Sequence, residues 1–371
     1  MEQIIFRPTL YKFQTCQEFA DEFKLGPDDL VFTNEYIYQP AFSGMNLECH
    51  VLYQEKYGVG EPSDIMAEQI LADVAQMHCR RIIAVGGGTI IDLAKVIAVA
   101  DTQNVDKLYE QMPDLNKMME LVIVPTTCGT GSEVTNVAVM SRTKMGTKMG
   151  LVGSAMYADS AVLIPELLNS LPIKVFATSS IDALVHALES SLSPKATAYT
   201  KLFSYRAIEL ILQGYQFLAE NGLECRGERM EDFLLASNYA GLAFGTAGCA
   251  AVHAMSYPLS GTYHVLHGES NYAIFIGVMK AYMKIKTDGE IAVMNEFLAS
   301  LLHCDAKDVY KVLEELLNHI LPKKALREYG VTQEDLPQFA QSVIEQQTRL
   351  TRNNFVPLSY QQILEIYQQL Y

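Results

Sequence analysis

The chain has 371 residues, enough for two hydrophobic cores, and its 49% hydrophobic and 19% charged composition excludes a disordered polypeptide. Acidic residues outnumber basic ones by 43 to 28, giving a net charge of −15, which argues against nucleic acid as a main partner because phosphate neutralisation needs clustered Lys and Arg. Seven scattered cysteines without a CxxC pair, and an N-terminus (MEQIIFRPTLYKF) without a basic-then-apolar leader pattern, predict a reduced, soluble, cytoplasmic protein.

Residues 30–33 are apolar and read as a strand that runs into Asn34, and residues 50–53 read as a second strand. Ile65, Ile70, Leu71 and Val74 recur at helical spacing, predicting a helix from a Ser63 cap to about Met77. Residues 81–85 form a strand that enters Gly86-Gly87-Gly88, with a helix from Thr89; residues 121–124 form another, ending at Pro125 and a second glycine-rich turn. This alternation predicts an α/β unit with a mostly parallel sheet. Beyond Pro165 strand-like runs fade, and stretches such as 203–218 and 309–320 carry apolar residues at helical spacing. The uncharged stretch 240–251 is short and glycine-rich, which fits a buried helix better than a membrane span. Pro165 and Pro172 punctuate the change of texture, so the expected division is an α/β domain over 1–168 and an all-α domain over 169–371.

Each glycine turn lies between an apolar strand and a further element. In Gly86-Gly87-Gly88-Thr89-Ile90-Ile91-Asp92 the small residues allow close approach of a pyrophosphate, and the helix start offers free N–H groups and a positive dipole end. Thr89 and Asp92 have the spacing of a capping box. The GxGxxG fingerprint is absent, and alone the turn is equally an ordinary strand-to-helix connection. The second turn, Pro125-Thr126-Thr127-Cys128-Gly129-Thr130-Gly131-Ser132-Glu133, adds hydroxyls and backbone donors. Two such turns at strand ends in one α/β unit point to a dinucleotide.

Asp182 and His186 stand four apart on a helical pattern and share one face, as a metal pair or an ordinary Asp–His hydrogen bond requires. Residues 251–269 hold three of the eight histidines, His253, His264 and His267, in otherwise apolar and small surroundings. Spread over a helix end, a Pro-Gly turn and the start of the next element, they are able to converge. Three imidazoles with a carboxylate suit a divalent first-row metal such as Fe²⁺ or Zn²⁺ and suit Ca²⁺ poorly. His50, His78, His303 and His319 have no partner at metal spacing and read as surface or capping residues.

GGGTIIDLAK (86–95), PTTCGTGSEVT (125–135), SIDALVHALES (180–190) and HAMSYPLSGTYHVLHG (253–268) together closely resemble the signatures of the iron-containing alcohol dehydrogenase family, over nearly the whole chain. The resemblance implies a dinucleotide-binding α/β domain followed by a helical metal-binding domain. It places the metal, Fe²⁺ with Zn²⁺ as the alternative, on Asp182, His186, His253 and His267. It places NAD on Asn34, Gly87, Gly88, Thr89, Asp92, Thr126, Thr127, Thr130 and Lys148. Asn34 stands where many NAD-preferring members carry Asp, and Tyr257 where many carry a further active-site histidine in a proton-relay position; Tyr257, His264 and a ribose hydroxyl of the cofactor are the candidates for the relay here. Within the family the chain looks most like members that interconvert 4-hydroxybutyrate and succinate semialdehyde, an uncharged primary alcohol or diol being the alternative substrate. For the substrate carboxylate the expected donor is Tyr257, with Lys148 and Arg142 behind it. A homo-oligomer is expected. A related lyase that binds a phosphate would need more basic residues near the metal than Lys195, the one cation between Asp182 and Thr200.

Overall fold

The computed structural model describes residues 2–145 and 147–371. The chain forms two compact units, Phe6–Leu171 and, together with Met1–Ile5, Pro172–Tyr371.

The first unit is built on strands β1 (Thr9–Lys12), β2 (Asp29–Thr33), β3 (His50–Tyr53), β4 (Arg81–Gly86), β5 (Glu120–Pro125), β6 (Val137–Arg142), β7 (Thr147–Val152) and β8 (Ser160–Leu163). Six of them form a wholly parallel sheet in the order β1-β8-β5-β4-β2-β3. Strands β2, β4 and β5 are apolar on both faces because both are covered. Leu30, Phe32, Ile82, Ala84, Leu121 and Ile123 join one core with Ile70, Leu71 and Ile91, while Val31, Ile83, Val85, Val122 and Val124 join another with Phe19 and Phe42. Burial on both faces is what gives parallel strands their uninterrupted apolar runs. Strands β6 and β7 form a separate antiparallel pair.

Helix α1 (Asp64–Val74) is capped by Ser63, whose hydroxyl accepts from Met66 N at 3.2 Å, and it stops short of Met77. Helix α2 (Gly88–Val99) starts one residue earlier than Thr89, with Gly87 at the cap position. The expected Thr89–Asp92 capping box does not form. Thr89 Oγ1 donates to Gly60 O instead, and Asp92 turns toward Ser132 and Val139.

The second unit is helical. Its first five helices are α3 (Ile173–Leu192), α4 (Ala198–Asn221), α5 (Met230–Ala247), α6 (Ala251–Tyr263) and α7 (His267–Ile285). Helix α3 is buried nearly all round and packs against α4, α5 and α7, which explains why its sequence is apolar or small on every face. The single buried helix expected over 240–251 is two helix ends with a break. Gly248 takes φ +80°, and a Cβ there would meet Asn353 Nδ2 at 2.5 Å. Among the described residues, no helix is long and apolar enough to cross a membrane.

Candidate functional site

Helix α3 sets Asp182 and His186 one turn apart, α6 supplies His253, and the first residue of α7 is His267. The four side chains meet. The Nε2 atoms of His253, His267 and His186 lie 3.6, 3.8 and 3.9 Å from one oxygen, Asp182 Oδ1. Ligands on bonds of about 2.1 Å in a tetrahedron stand roughly 3.4 Å apart, so this spacing is close to that of a coordination shell. The donor set, imidazole nitrogens with one carboxylate, fits Fe²⁺ or Zn²⁺. Asp182, His253 and His186 are almost wholly buried, whereas His267 keeps 34% of its side chain exposed and marks the open side. Burial alone would raise the Asp182 carboxyl, but His186, His267 and His253 outweigh it and hold the group well below the usual carboxylate range.

Three supporting residues escaped the sequence reading. Glu189 Oε2 contacts His253 Nδ1 at 2.7 Å and accepts from Ala250 N at 2.9 Å, while Oε1 accepts from Val252 N at 2.6 Å. With Nδ1–H committed to a carboxylate, the lone pair of His253 is on Nε2, the atom facing Asp182. Asn271 Nδ2 lies 2.7 Å from Asp182 Oδ1, 3.2 Å from His253 Nε2 and 3.3 Å from His267 Nε2. Cys249 forms a second set with His186 and His253, the ligand atoms of all three lying within 4.8 Å of one another. Burial raises its thiol, yet the two imidazoles win and bring it down to about 7. Helical spacing contained a signal for the first two. Glu189 follows His186 by three residues, and Asn271 follows His267 by four. Nothing in the spacing marks Cys249.

Gly268 makes the convergence sterically feasible. A Cβ at this position would fall 2.7 Å from the Thr178 carbonyl carbon, closer still to its oxygen, and 3.3 Å from Asp182 Cβ. Only a glycine lets α7 approach α3 closely enough to set His267 beside Asp182.

Tyr257, one turn beyond His253, is half-buried with its ring centroid 6.1 Å from that of His267. Burial raises its phenol, partly offset by the charges of His253 and Arg349. His264 is not brought to the ligands. It is exposed, adopts φ +53° as the cap that ends α6, and makes no hydrogen bond or ring contact among the described residues. The four unassigned histidines also lie apart: His50 and His78 are exposed, His303 caps a helix, and His319 Nδ1 meets Glu315 O at 2.8 Å.

In the sheet unit, the register aligns Thr33 with Val85 and Gly86 with Pro125. Asn34 and both glycine turns thus leave neighbouring parallel strands at the same edge, the carboxyl end, where α/β sheets bind ligands. The turns touch. Cβ atoms on Gly87 and Gly88 would lie 3.3 and 3.2 Å from the methyls of Thr127 and Thr130. Gly87, Gly88, Thr89, Thr127 and Thr130 stay half-exposed around the start of α2, whereas Thr126 is buried. Asn34 donates to Gln54 Oε1 at 3.3 Å. Asp92 braces the frame, accepting from Ser132 Oγ at 3.0 Å and Val139 N at 2.9 Å. Lys95, fully buried, donates to Ser132 Oγ, Thr135 Oγ1 and Val137 O at 2.9, 3.0 and 2.8 Å; burial pushes its ammonium down to about 8. Lys148 pairs with Glu61. Arg142 is not available to a substrate: it is buried, pairs with Asp106 and Asp64, and lies 4.1 Å over the Tyr109 ring.

Residues 11–165 match the iron-containing alcohol dehydrogenase family, and residues 176–371 match the C-terminal region of the Fe-containing alcohol dehydrogenase family. The chain is 47% identical over 371 residues to 4-hydroxybutyrate dehydrogenase of Clostridium kluyveri, covering 100% of both chains. It is 33% identical to long-chain-alcohol dehydrogenase 1 of Geobacillus thermodenitrificans, covering 85% of this chain and 83% of that one. Among solved structures, a 1,3-propanediol oxidoreductase shares the fold with a TM-score of 0.87 at 24% identity, covering 100% of both chains. The sulfoacetaldehyde reductase of Bifidobacterium kashiwanohense in complex with NAD⁺ does so with 0.86 at 22% identity, covering 100% of this chain and 99% of that one.

Proposed function

Because the chain belongs to the iron-containing alcohol dehydrogenase family and is thus an oxidoreductase acting on alcohols, we propose that it interconverts 4-hydroxybutyrate and succinate semialdehyde, using NAD and Fe²⁺. The observation that carries the substrate assignment is the 47% identity, end to end, with a 4-hydroxybutyrate dehydrogenase.

Asp182, His186, His253 and His267 hold the metal in this reading, with Glu189 fixing the His253 tautomer. The metal, when bound, is a Lewis acid toward the alcohol or carbonyl oxygen, and the nicotinamide accepts or returns the hydride. Gly87, Gly88, Thr89, Thr127 and Thr130 offer an accessible helix start and hydroxyls for the pyrophosphate, supported by their common position at one sheet edge. Asn34, at the end of β2, provides an uncharged amide for the adenosine ribose. Thr126, Asp92 and Lys148 shape that edge. Tyr257 is the proton-relay candidate supported by proximity to His267. Its raised phenol stays protonated at neutral pH and is able to donate a proton. His264 lacks such contacts. All seven cysteines are free, which supports a reducing, cytoplasmic setting.

The test is NADH absorbance with anaerobically Fe²⁺-loaded protein, comparing 4-hydroxybutyrate with 1-butanol. A site built for a carboxylate leaves its donors unpaired with butanol, a mismatch worth up to about 10⁴ in kcat/KM. Equal kcat/KM for the two alcohols refutes the substrate assignment.

A further inference from the structure

In a chain of net charge −15, cations find carboxylates readily. Arg81, Lys117, Arg142, Lys201, Lys280 and Lys323 all do so. Arg349, Arg352 and Lys195 do not: among the described residues their charged groups make no ion pair or hydrogen bond, and all three are exposed. Yet they are neighbours. Burial lowers the Lys195 ammonium, and the charges of Arg352 and Arg349 lower it further. Like charges gathered without a counter-ion repel one another, and an anion among them relieves that cost.

The backbone places this cluster beside the metal segment. The short helix Thr348–Thr351, which carries Arg349, packs against α6, the helix of His253 and Tyr257. Asn353 Nδ2 donates both to Arg349 O at 3.3 Å and to Cys249 O at 2.8 Å, tying Arg349 to the turn that leads into α6. On the other side of that turn, Ser193 Oγ donates to Ala247 O at 2.7 Å and accepts from Lys195 N at 3.2 Å. The charge of Arg349 also reaches the Tyr257 phenol.

We propose that Arg349, flanked by Lys195 and Arg352, receives the carboxylate of the substrate and makes the alcohol site selective for hydroxy acids. This deepens the 4-hydroxybutyrate reading and rests on it. An ionised carboxylate leaves water only for charge-assisted hydrogen bonds, and a guanidinium offers two in parallel. The other two cations considered from the sequence, Arg142 and Lys148, are already paired.

The experiment uses Fe²⁺-loaded wild type, Arg349→Met and Arg349→Lys. It measures kcat/KM for 4-hydroxybutyrate and 1-butanol, inhibition of butanol oxidation by butyrate, NADH affinity by nicotinamide fluorescence, and iron content. In Arg349→Met the ratio of the two kcat/KM values falls about 100-fold, mainly through KM for the hydroxy acid, and butyrate inhibition weakens in parallel. Arg349→Lys recovers part of both, while iron content and NADH affinity hold. Unchanged butyrate inhibition in Arg349→Met overturns the proposal, as does a loss confined to NADH affinity, which would assign the cation to a cofactor phosphate. The two readings separate cleanly. A wild type without preference for 4-hydroxybutyrate but with Arg349-dependent butyrate inhibition removes the substrate and keeps the anion site. A preference that survives Arg349→Met keeps the substrate and removes Arg349.

Discussion

Replacing Glu189 with Gln tests whether the metal site depends on a residue that never touches the metal. The two carboxylate oxygens serve three partners: Ala250 N, Val252 N and His253 Nδ1, at 2.9, 2.6 and 2.7 Å. Glutamine keeps one acceptor oxygen and turns an NH₂ toward the remaining donors, so at least one buried N–H loses its acceptor. A buried unsatisfied donor costs about 1–3 kcal/mol, and the opposed NH₂ adds to it, so a loss of roughly 2–4 kcal/mol is expected for the metal-free protein. The bond that fixes the His253 tautomer is either lost to the NH₂ or passes from a charged to a neutral acceptor, and disruption of such a partner lowers metal affinity about 10–100-fold. Urea unfolding of metal-free protein reads the first effect, and anaerobic Fe²⁺ titration reads the second. A variant that binds Fe²⁺ within twofold of wild type would show that His253 is oriented by its helix alone, and the argument from Glu189 would fall.

His253→Ala or His267→Ala should abolish bound iron and activity while His319→Ala does neither; full iron in His267→Ala by elemental analysis removes that ligand from the set. Gly268→Ala sets a Cβ against the Thr178 backbone, which no rotamer relieves, so a drop in Tm and in iron content is expected, with overpacking costing about 1–3 kcal/mol or more; unchanged Tm and iron would show that α7 moves away freely. Burial lowers the Lys95 ammonium from 10.5 to about 8, so between those pH values the unfolded chain binds more protons than the folded one and this group's contribution to stability rises with pH. The stability difference between wild type and Lys95→Met, measured by urea unfolding at pH 7.5 and 10, should therefore grow in favour of wild type, and a shrinking difference reverses the sign of the reasoning. Asn34→Asp should sharpen discrimination against NADP by placing a negative charge near the 2′-phosphate; an unchanged NAD to NADP ratio takes Asn34 away from the ribose.

Of the four strands legible in the sequence, three are buried on both faces, and the fourth, β3, is a partly exposed edge strand. Residues 30–33, 81–85 and 121–124 lie in the middle of the parallel sheet, where two covered faces produce continuous apolar runs. Strand β1 escaped because it is an edge strand whose four residues, Thr9, Leu10, Tyr11 and Lys12, are all exposed and carry no apolar pattern. The β6–β7 pair escaped for a related reason, since β6 is buried only at alternate positions and so lacks a continuous apolar run. Thr89 and Asp92 misled at short range. Their spacing fits a capping box, but Asp92 finds Ser132 and Val139, partners 40 and 47 residues away, and local spacing contains no information about them.

The metal site shows how far local spacing reaches. Asp182, His186 and Glu189 follow one face of α3 at intervals of four and three residues, and His267 and Asn271 are four apart on α7. Each helix therefore presents a ligand together with a polar neighbour one turn away, and that much is readable from periodicity. What periodicity omits is that the neighbours serve across helices. Glu189 on α3 orients His253 on α6, and Asn271 on α7 bonds Asp182 on α3. Such exchange requires the helix axes to come unusually close, and the residue that permits it is the one with no side chain. Gly268 adjoins His267 in the chain and touches Thr178, four residues before Asp182, in space. The ligand spacing gives each helix its face, and the close approach at Gly268 turns those faces into one site.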